Sequence, residues 1–234
     1  MKLIQRAKYF FRFVLSNRRR KYGTVFDGQE SFSSNFQDVA VFNLFGGKKS
    51  GTYIEIGSQD PIKCSNTFAL EINHNWRGLS FEIDDEYVNF FNWCRKNTCI
   101  KGDATTHDYV KIFSKHELPQ TIDYLQLDID PPSASLATLK SLPFDRFTFS
   151  FIAFEHDSYQ FGEDVAKAQR QILSSAGYVL LAQDVSHSGG PFEDWWISAD
   201  LAQSMTQFGR LPLSNLDGAR LAKLLRNPTN EEVQ

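Results

Sequence analysis

The chain has 234 residues, a length filled by one α/β domain with a small appendage. At 41% hydrophobic and 23% charged residues it can bury a core and is not a disordered tail, and no apolar run reaches the roughly 18 residues of a transmembrane helix. The net charge of −3 hides an asymmetry: residues 1–23 carry eight basic side chains and no acidic one, which leaves 17 basic against 28 acidic in the rest.

Those first residues read as a basic amphipathic helix. At 100° per residue, Leu3, Ile4, Ala7, Phe10, Phe11, Val14 and Leu15 share one face, and Lys2, Arg6, Lys8 and Arg12 share the other. Such a helix lies on an anionic membrane surface, on a partner, or on its own domain. A cleaved signal peptide fits less well, because Arg12 interrupts the apolar run and no small-residue cleavage site follows. Residues 24–50 form a leading segment with a helix over Ser33–Phe45, Asn35 serving as its N-cap.

From Gly51 the chain alternates strands and helices. Thr52–Gly57, Gly78–Ile83, Cys99–Lys101, Tyr124–Ile129, Phe147–Glu155 and Gly177–Ala182 are predicted strands. Between them lie helices near 65–73, 85–96, 106–115, 133–141 and 162–175. Alternation with apolar strands means a mostly parallel sheet covered on both faces. Ser186–Pro191 reads as a flexible loop, Phe192–Ile197 as an antiparallel edge strand, and 200–234 as a helical tail with its helix near Gly218–Arg226. The central domain is thus expected over 51–199. The cysteines Cys64, Cys94 and Cys99 make no C-x-x-C or C-x-x-H pair, so neither a zinc finger nor a disulfide framework is written here. A reducing compartment, the cytoplasm, is expected, with peripheral membrane contact as one use of residues 1–21.

Open parallel sheets bind ligands beyond the carboxyl ends of their strands. Glu55, Glu82 with Asp84, Asp103, Asp128 with Asp130, and Glu155 with His156 and Asp157 fall there at spacings of 27, 21, 25 and 27 residues. Five successive strand ends bearing carboxylates read as one site. The first turn, Glu55-Ile-Gly57-Ser-Gln-Asp60-Pro61, lacks the glycines a pyrophosphate needs, and its acidic groups would repel one. A nucleoside without phosphate but with a cationic centre suits it better: Glu82 accepts the ribose hydroxyls, and S-adenosylmethionine meets every requirement.

Motifs in the same order carry a family resemblance. QDVAVFNLF, GTYIEIGSQDP, CSNT, WRGLSFEID, KGDA, DYLQLDID and FEHDSY together resemble the FkbM-type methyltransferases, over roughly residues 33–197. The resemblance implies a Rossmann-like class I methyltransferase fold, with a mostly parallel seven-stranded sheet and helices on both faces. It places Glu55 and Gly57 at the methionine part of the cofactor, Glu82 at the ribose, and Asp103 with Ala104 at the adenine edge. Asn66 would hold the amino-acid end, Gln37 would close the site, and Asp128 would border the cofactor. Where the family has Asp-Gly in the first turn, this chain has Asp60-Pro61.

Members of that family are similar to O-methyltransferases acting on sugars, lipid-linked glycans or natural-product hydroxyls. A hydroxyl needs a base or a metal to lower its pKa. Asp128 and His156 are the expected catalytic residues, and Asp128 with Glu155 and Asp157 could hold Mg²⁺ or another hard cation. The expected acceptor is a small molecule or glycan, not nucleic acid, given the acidic core. Two rivals remain: an N-methyltransferase, suggested by Asp130-Pro131-Pro132-Ser133 although the motif's aromatic residue is missing, and a binding module that keeps the cofactor without turnover. His187 and the Trp195-Trp196 pair are outer candidates for acceptor contact; His74, His107 and His116 look structural.

Overall fold

The structure, a computed structural model, describes residues 7–11, 14, 22–205, 211–214 and 216–226. Much of the expected N-terminal helix (1–6, 12–13 and 15–21) and the end of the tail (227–234) lie outside these residues. Residues 7–11 and 14 are helical. A short hairpin follows, β1 (Thr24–Phe26) and β2 (Gln29–Ser31), ahead of α1 (Gln37–Leu44). Asn35 is not the cap of α1: the cap position belongs to Phe36, which sits at φ 60° with no side-chain bond to the helix. Asn35 instead accepts from the Gly218 N–H through Oδ1 (3.2 Å).

The remaining elements are β3 (Thr52–Ile56), α2 (Phe68–His74), β4 (Arg77–Glu82), α3 (Asp85–Cys94), β5 (Thr98–Lys101), α4 (Tyr109–Lys115), β6 (Thr121–Leu127), α5 (Pro132–Ser141), β7 (Thr148–Glu155), α6 (Ser158–Phe161), α7 (Asp164–Ser175), β8 (Val179–His187), β9 (Gly190–Ile197), α8 (Ala199–Ser204), β10 (Leu213–Ser214) and α9 (Gly218–Arg226). They build one sheet in the order β10-β8-β9-β7-β6-β3-β4-β5. All its pairings are parallel except those of β9 with β7 and β8. This is the expected mostly parallel, helix-covered sheet of Rossmann-like type. It has eight strands rather than seven, because the two-residue β10 adds at the edge beside β8, too short to leave a periodic signal.

Two further expectations are corrected. Strand β9 is not an edge: it lies between β7 and β8, and Trp195 and Trp196 are buried (0% and 1% exposed), so neither can stack on an acceptor. The loop expected over Ser186–Pro191 is a hairpin turn. Ser188 (φ 51°) and Gly189 (φ 86°) take the two left-handed positions of a two-residue turn whose twist matches the flanking strands.

Alternation along the strands sorts the core into two layers. Tyr53, Tyr124, Phe151 and Trp195 pack with α1 and α9 on one face; Ile54, Leu125, Ile152 and Trp196 pack with α4, α5 and α7 on the other. Among the described residues no helix is long and apolar enough to cross a membrane.

Beneath the first turn lies Arg95, whose guanidinium is wholly buried. Its Nε donates to Glu71 Oε2 (2.8 Å), Nη1 to the Pro61 carbonyl (3.0 Å) and Ser65 Oγ (3.3 Å), and Nη2 to Tyr53 Oη and Thr67 Oγ1 (both 3.1 Å). Its plane also lies 4.4 Å from the Phe91 ring centroid. Burial works against the charge, and the surrounding Tyr53, Glu71 and Glu55 hold it in place. Replacing Glu71 by Ala leaves this cation unpaired in the interior, which costs about 3–5 kcal/mol. Thermal unfolding should show a Tm fall on the order of 10 °C; an unchanged Tm would mean the pair is not what secures the turn.

Candidate functional site

The β3-to-α2 connection leaves the sheet at Gly57, which sits at φ 89°. A Cβ there would come within 1.7 Å of the Asp128 carbonyl, so glycine alone lets the turn pass this close to the end of β6. Asp60 then folds the loop by accepting the N–H groups of Ile62 and Lys63 (both 3.0 Å). Pro61 accepts from Arg95 Nη1 through its carbonyl, a bond that a glycine there would also make.

Across the carboxyl ends of β3, β4, β5 and β6 runs a cleft of about 340 Å³. Gly57, Glu82, Asp103, Ala104 and Asp128 all line it, with Phe81, Ile83 and Ile129 as apolar walls. Glu82 is held by three backbone N–H groups: Gln59 to Oε2 (2.8 Å), Ile83 to Oε1 (2.8 Å) and Asp84 to Oε1 (2.9 Å). With about two lone pairs per oxygen, Oε2 keeps one acceptor position for a ligand hydroxyl. Asp103 accepts the N–H and hydroxyl of Thr105 (2.9 and 2.7 Å), which lower its pKa.

Three of the expected cofactor residues lie off this cleft. Glu55 points to the α1 face, buried, accepting from Ser80 Oγ (2.6 Å), and burial raises its pKa. Gln37 donates through Nε2 to Glu193 Oε1 (3.1 Å) and accepts from Ser33 Oγ. Asn66 is buried and its Oδ1 has no hydrogen-bond partner among the described residues.

The acidic cluster beside the cleft follows from the strand period. On the α1 face the apolar rows end in polar ones: Tyr53 gives way to Glu55, Tyr124 to Gln126, Ala153 to Glu155 and Trp195 to Glu193. Glu155 and Glu193 stand directly opposite each other across β7 and β9. Two ionised carboxylates in that position repel. Burial and the neighbouring carboxylates raise the pKa of Glu155, while burial, with the charges of Asp130 and Asp157, raises Asp128 against the pull of its bond to Glu155. Asp128 and Glu155 are hydrogen-bonded, so the pair retains a proton at neutral pH. Burial pushes Glu193 up to about 8, and Asp157 is raised for the same first reason.

His156 does not face the cleft, which removes it as the expected base. One position past the end of β7, its ring turns away from Glu155 into the interior. There Nδ1 accepts from Ser158 N–H (3.2 Å) and Nε2 lies 3.4 Å from Asp194 Oδ1. Arg170 completes this cluster through Nε to Asp194 Oδ2 (2.6 Å) and Nη2 to Asp184 Oδ1 (2.7 Å). Burial works to raise the pKa of Asp194, and the bonds from His156 and Arg170 more than reverse it.

The metal set expected from the sequence is likewise not assembled. Among the described residues, the group of three metal-type ligands within 4.8 Å of one another is His156, Asp184 and Asp194, and Arg170 pairs with both of its carboxylates. Asp128, Glu155 and Asp157 do not form such a group among the described residues. Asp130, Glu155 and Asp157 line a second cleft of about 530 Å³ together with Tyr159 and Phe161, whose rings are half exposed. The two clefts share Asp130.

Glu193, Asp194, Asp184 and Arg170 escaped the sequence reading. The only signal was a pair of acids opening a strand assigned to the wrong place in the sheet.

No protein-family model matches the chain, and no curated protein matches it. Several solved structures resemble it. An O-methyltransferase from Bacillus cereus in complex with SAH is 13% identical, over 85% of this chain and 92% of that one, at a TM-score of 0.49. An rRNA methylase from Streptococcus thermophilus is 10% identical over 68% and 93% of the two chains, at 0.47. Aeropyrum pernix fibrillarin with natively bound S-adenosyl-L-methionine is 14% identical over 75% and 81%, at 0.45. At these identities the likeness is one of backbone course, and the substrates of those proteins stay theirs.

The raised carboxylates have a measurable signature. A group whose folded pKa lies above its unfolded value favours the fold at low pH and weakens it once pH passes the unfolded value. Glu155→Gln removes that burden, so at pH 8 its Tm should exceed the wild type's by about 3 °C or more. The gain should vanish near pH 4, where Glu155 is protonated in both states. A variant less stable than wild type at pH 8 would show that Glu155 is ionised and well paired.

Proposed function

We propose that the protein is an S-adenosylmethionine-dependent methyltransferase of the FkbM type, acting on a hydroxyl of a sugar, a glycan or a small natural product. The observation that carries this reading is the convergence of Gly57, Glu82, Asp103, Ala104 and Asp128 on one cleft. Its size suits a nucleoside-sized ligand. The free acceptor position on Glu82 suits a ribose hydroxyl, and Phe81, Ile83 and Ala104 give an adenine ring apolar walls. Close backbone approach at Gly57 leaves room where a side chain would intrude. The buried Oδ1 of Asn66, without a partner among the described residues, is an acceptor suited to an ammonium group at the amino-acid end. Glu55 and Gln37 then act from behind, by holding the strand end and by carrying Glu193.

S-adenosylmethionine, when bound, supplies a methyl group on a cationic sulfur. The acceptor would occupy the neighbouring cleft, where Asp130, Glu155 and Asp157 offer acceptors to hydroxyls. Tyr159 and Phe161 offer ring faces to an apolar C–H surface. Acids on this wall disfavour a polyanionic acceptor such as nucleic acid. The ionised member of the Asp128–Glu155 pair would accept the proton that the acceptor hydroxyl loses on methylation. A carboxylate raised toward neutrality is a better base than an ordinary one. The fold contributes the rest by holding donor and acceptor in line.

Calorimetric titration with S-adenosylhomocysteine tests the cofactor site. Wild type should bind at micromolar concentration, and Glu82→Ala should weaken binding on the order of a hundredfold. Asp128→Asn should keep that affinity within a few-fold and lower kcat by about 10²–10⁴ on whichever hydroxylated acceptor a screen identifies. A folded sample that ignores millimolar ligand would remove the reading.

A further inference from the structure

The helical N-terminal residues have two apolar sides, and the domain uses only one. Tyr9 is buried, with its ring centroid 5.6 Å from Phe90 and 6.2 Å from Trp93 on α3. Lys8 Nζ lies 3.1 Å from Glu86 Oε1 beside it. Phe10, Phe11 and Val14 fall on the far side of the helix from Tyr9 and remain 55%, 65% and 44% exposed. The described members of the expected apolar stripe, Ala7, Phe10, Phe11 and Val14, are therefore exposed, and Tyr9, outside that stripe, makes the contact.

We propose that this outward face seats the protein on an anionic lipid membrane. Two observations choose the occupant. Adjacent phenylalanines held out in water by an anchored helix are suited to the acyl boundary, into which large rings insert. All eight charged side chains within residues 1–23 are basic, complementary to an anionic surface, while the rest of the chain is acidic and would be repelled from one. A nucleic acid would use the charges and leave the rings idle. The seat has a fixed place in the molecule: Glu86 lies in the first turn of α3, just after the cap Asp84 and the cleft residues Glu82 and Ile83. Membrane contact therefore occurs beside the rim of the first cleft. This inference does not depend on what that cleft binds.

Co-sedimentation of the full chain with vesicles tests it, comparing phosphatidylcholine alone with a mixture containing about one-third phosphatidylserine. The protein should bind the mixed vesicles on the order of tenfold more tightly. Salt at about 1 M, where the screening length falls to about 3 Å, should remove most of that difference. The double variant Phe10→Ser/Phe11→Ser should lose binding on the order of tenfold with an unchanged Tm, since both rings are exposed. Equal binding to the two vesicle types, or full binding by the double variant, overturns the proposal. So does a wild type that ignores vesicles but binds RNA, or one that forms a dimer abolished by the same two substitutions.

Discussion

A single buried cation, Arg95, ties together the parts of the fold from which the first cleft is made. It sits where α3 ends, yet it grips the Pro61 carbonyl of the first turn, Ser65 and Thr67 ahead of α2, Glu71 within α2, and Tyr53 on β3. The turn after β3 has almost no regular structure of its own. It keeps its shape because five groups from four segments share one planar set of donors, a geometry that arginine offers and lysine does not. Glu71 Oε1 extends the set by accepting the Lys96 N–H, and its Oε2 accepts from Asn97 (both 2.8 Å), which leads straight into β5. Gly57 and the strand ends that carry Glu82 and Asp103 are thereby referred to one fixed point.

Around that fixed point the sheet divides its two faces differently. On the α4–α5–α7 side the apolar rows continue through Ile56 and Leu127, close to the strand ends. On the α1 side they stop one pair earlier, and Glu55, Gln126, Glu155 and Glu193 take their place, under Gln37. Acids so close to one another inside a protein do not stay fully ionised. Instability of this kind is usual where chemistry is done, because a group made uncomfortable in its charged form is one that exchanges protons near neutrality. The neighbouring Arg170 cluster is the counterexample: given a guanidinium, Asp194 is held in its charged form despite burial.

The strands and helices of the domain were legible because each carries a strong local period between Gly51 and Ser175. That Glu82, Asp103 and Asp128 share one edge was legible because parallel strands of similar length bring residues at βα spacing together, whereas Gly57 and Ala104 came only with the family resemblance. Period and spacing could not show orientation. His156 and Glu155 are neighbours in sequence and therefore face opposite ways, and nothing local says which of them meets the cleft. The β8–β9 hairpin was misread for a related reason: its two-residue turn looks like a loop, and the insertion of β9 beside β7 depends on contacts distant in sequence. Arg95 left no mark at all, since its partners are scattered from Tyr53 to Glu71. At the N-terminus the apolar stripe was legible but not its direction, because a ring outside the stripe, Tyr9, fits between Phe90 and Trp93.

The opposed pair Glu155 and Glu193 also alters what folding does to the solvent. Because these groups and Asp128 hold protons more tightly in the folded chain than in the unfolded one, folding near neutral pH draws protons out of the buffer. The heat of unfolding then includes the ionisation heat of whichever buffer takes those protons back. Two buffers at one pH will thus report different enthalpies for the same structural change, and the difference counts the protons stored along the end of this sheet.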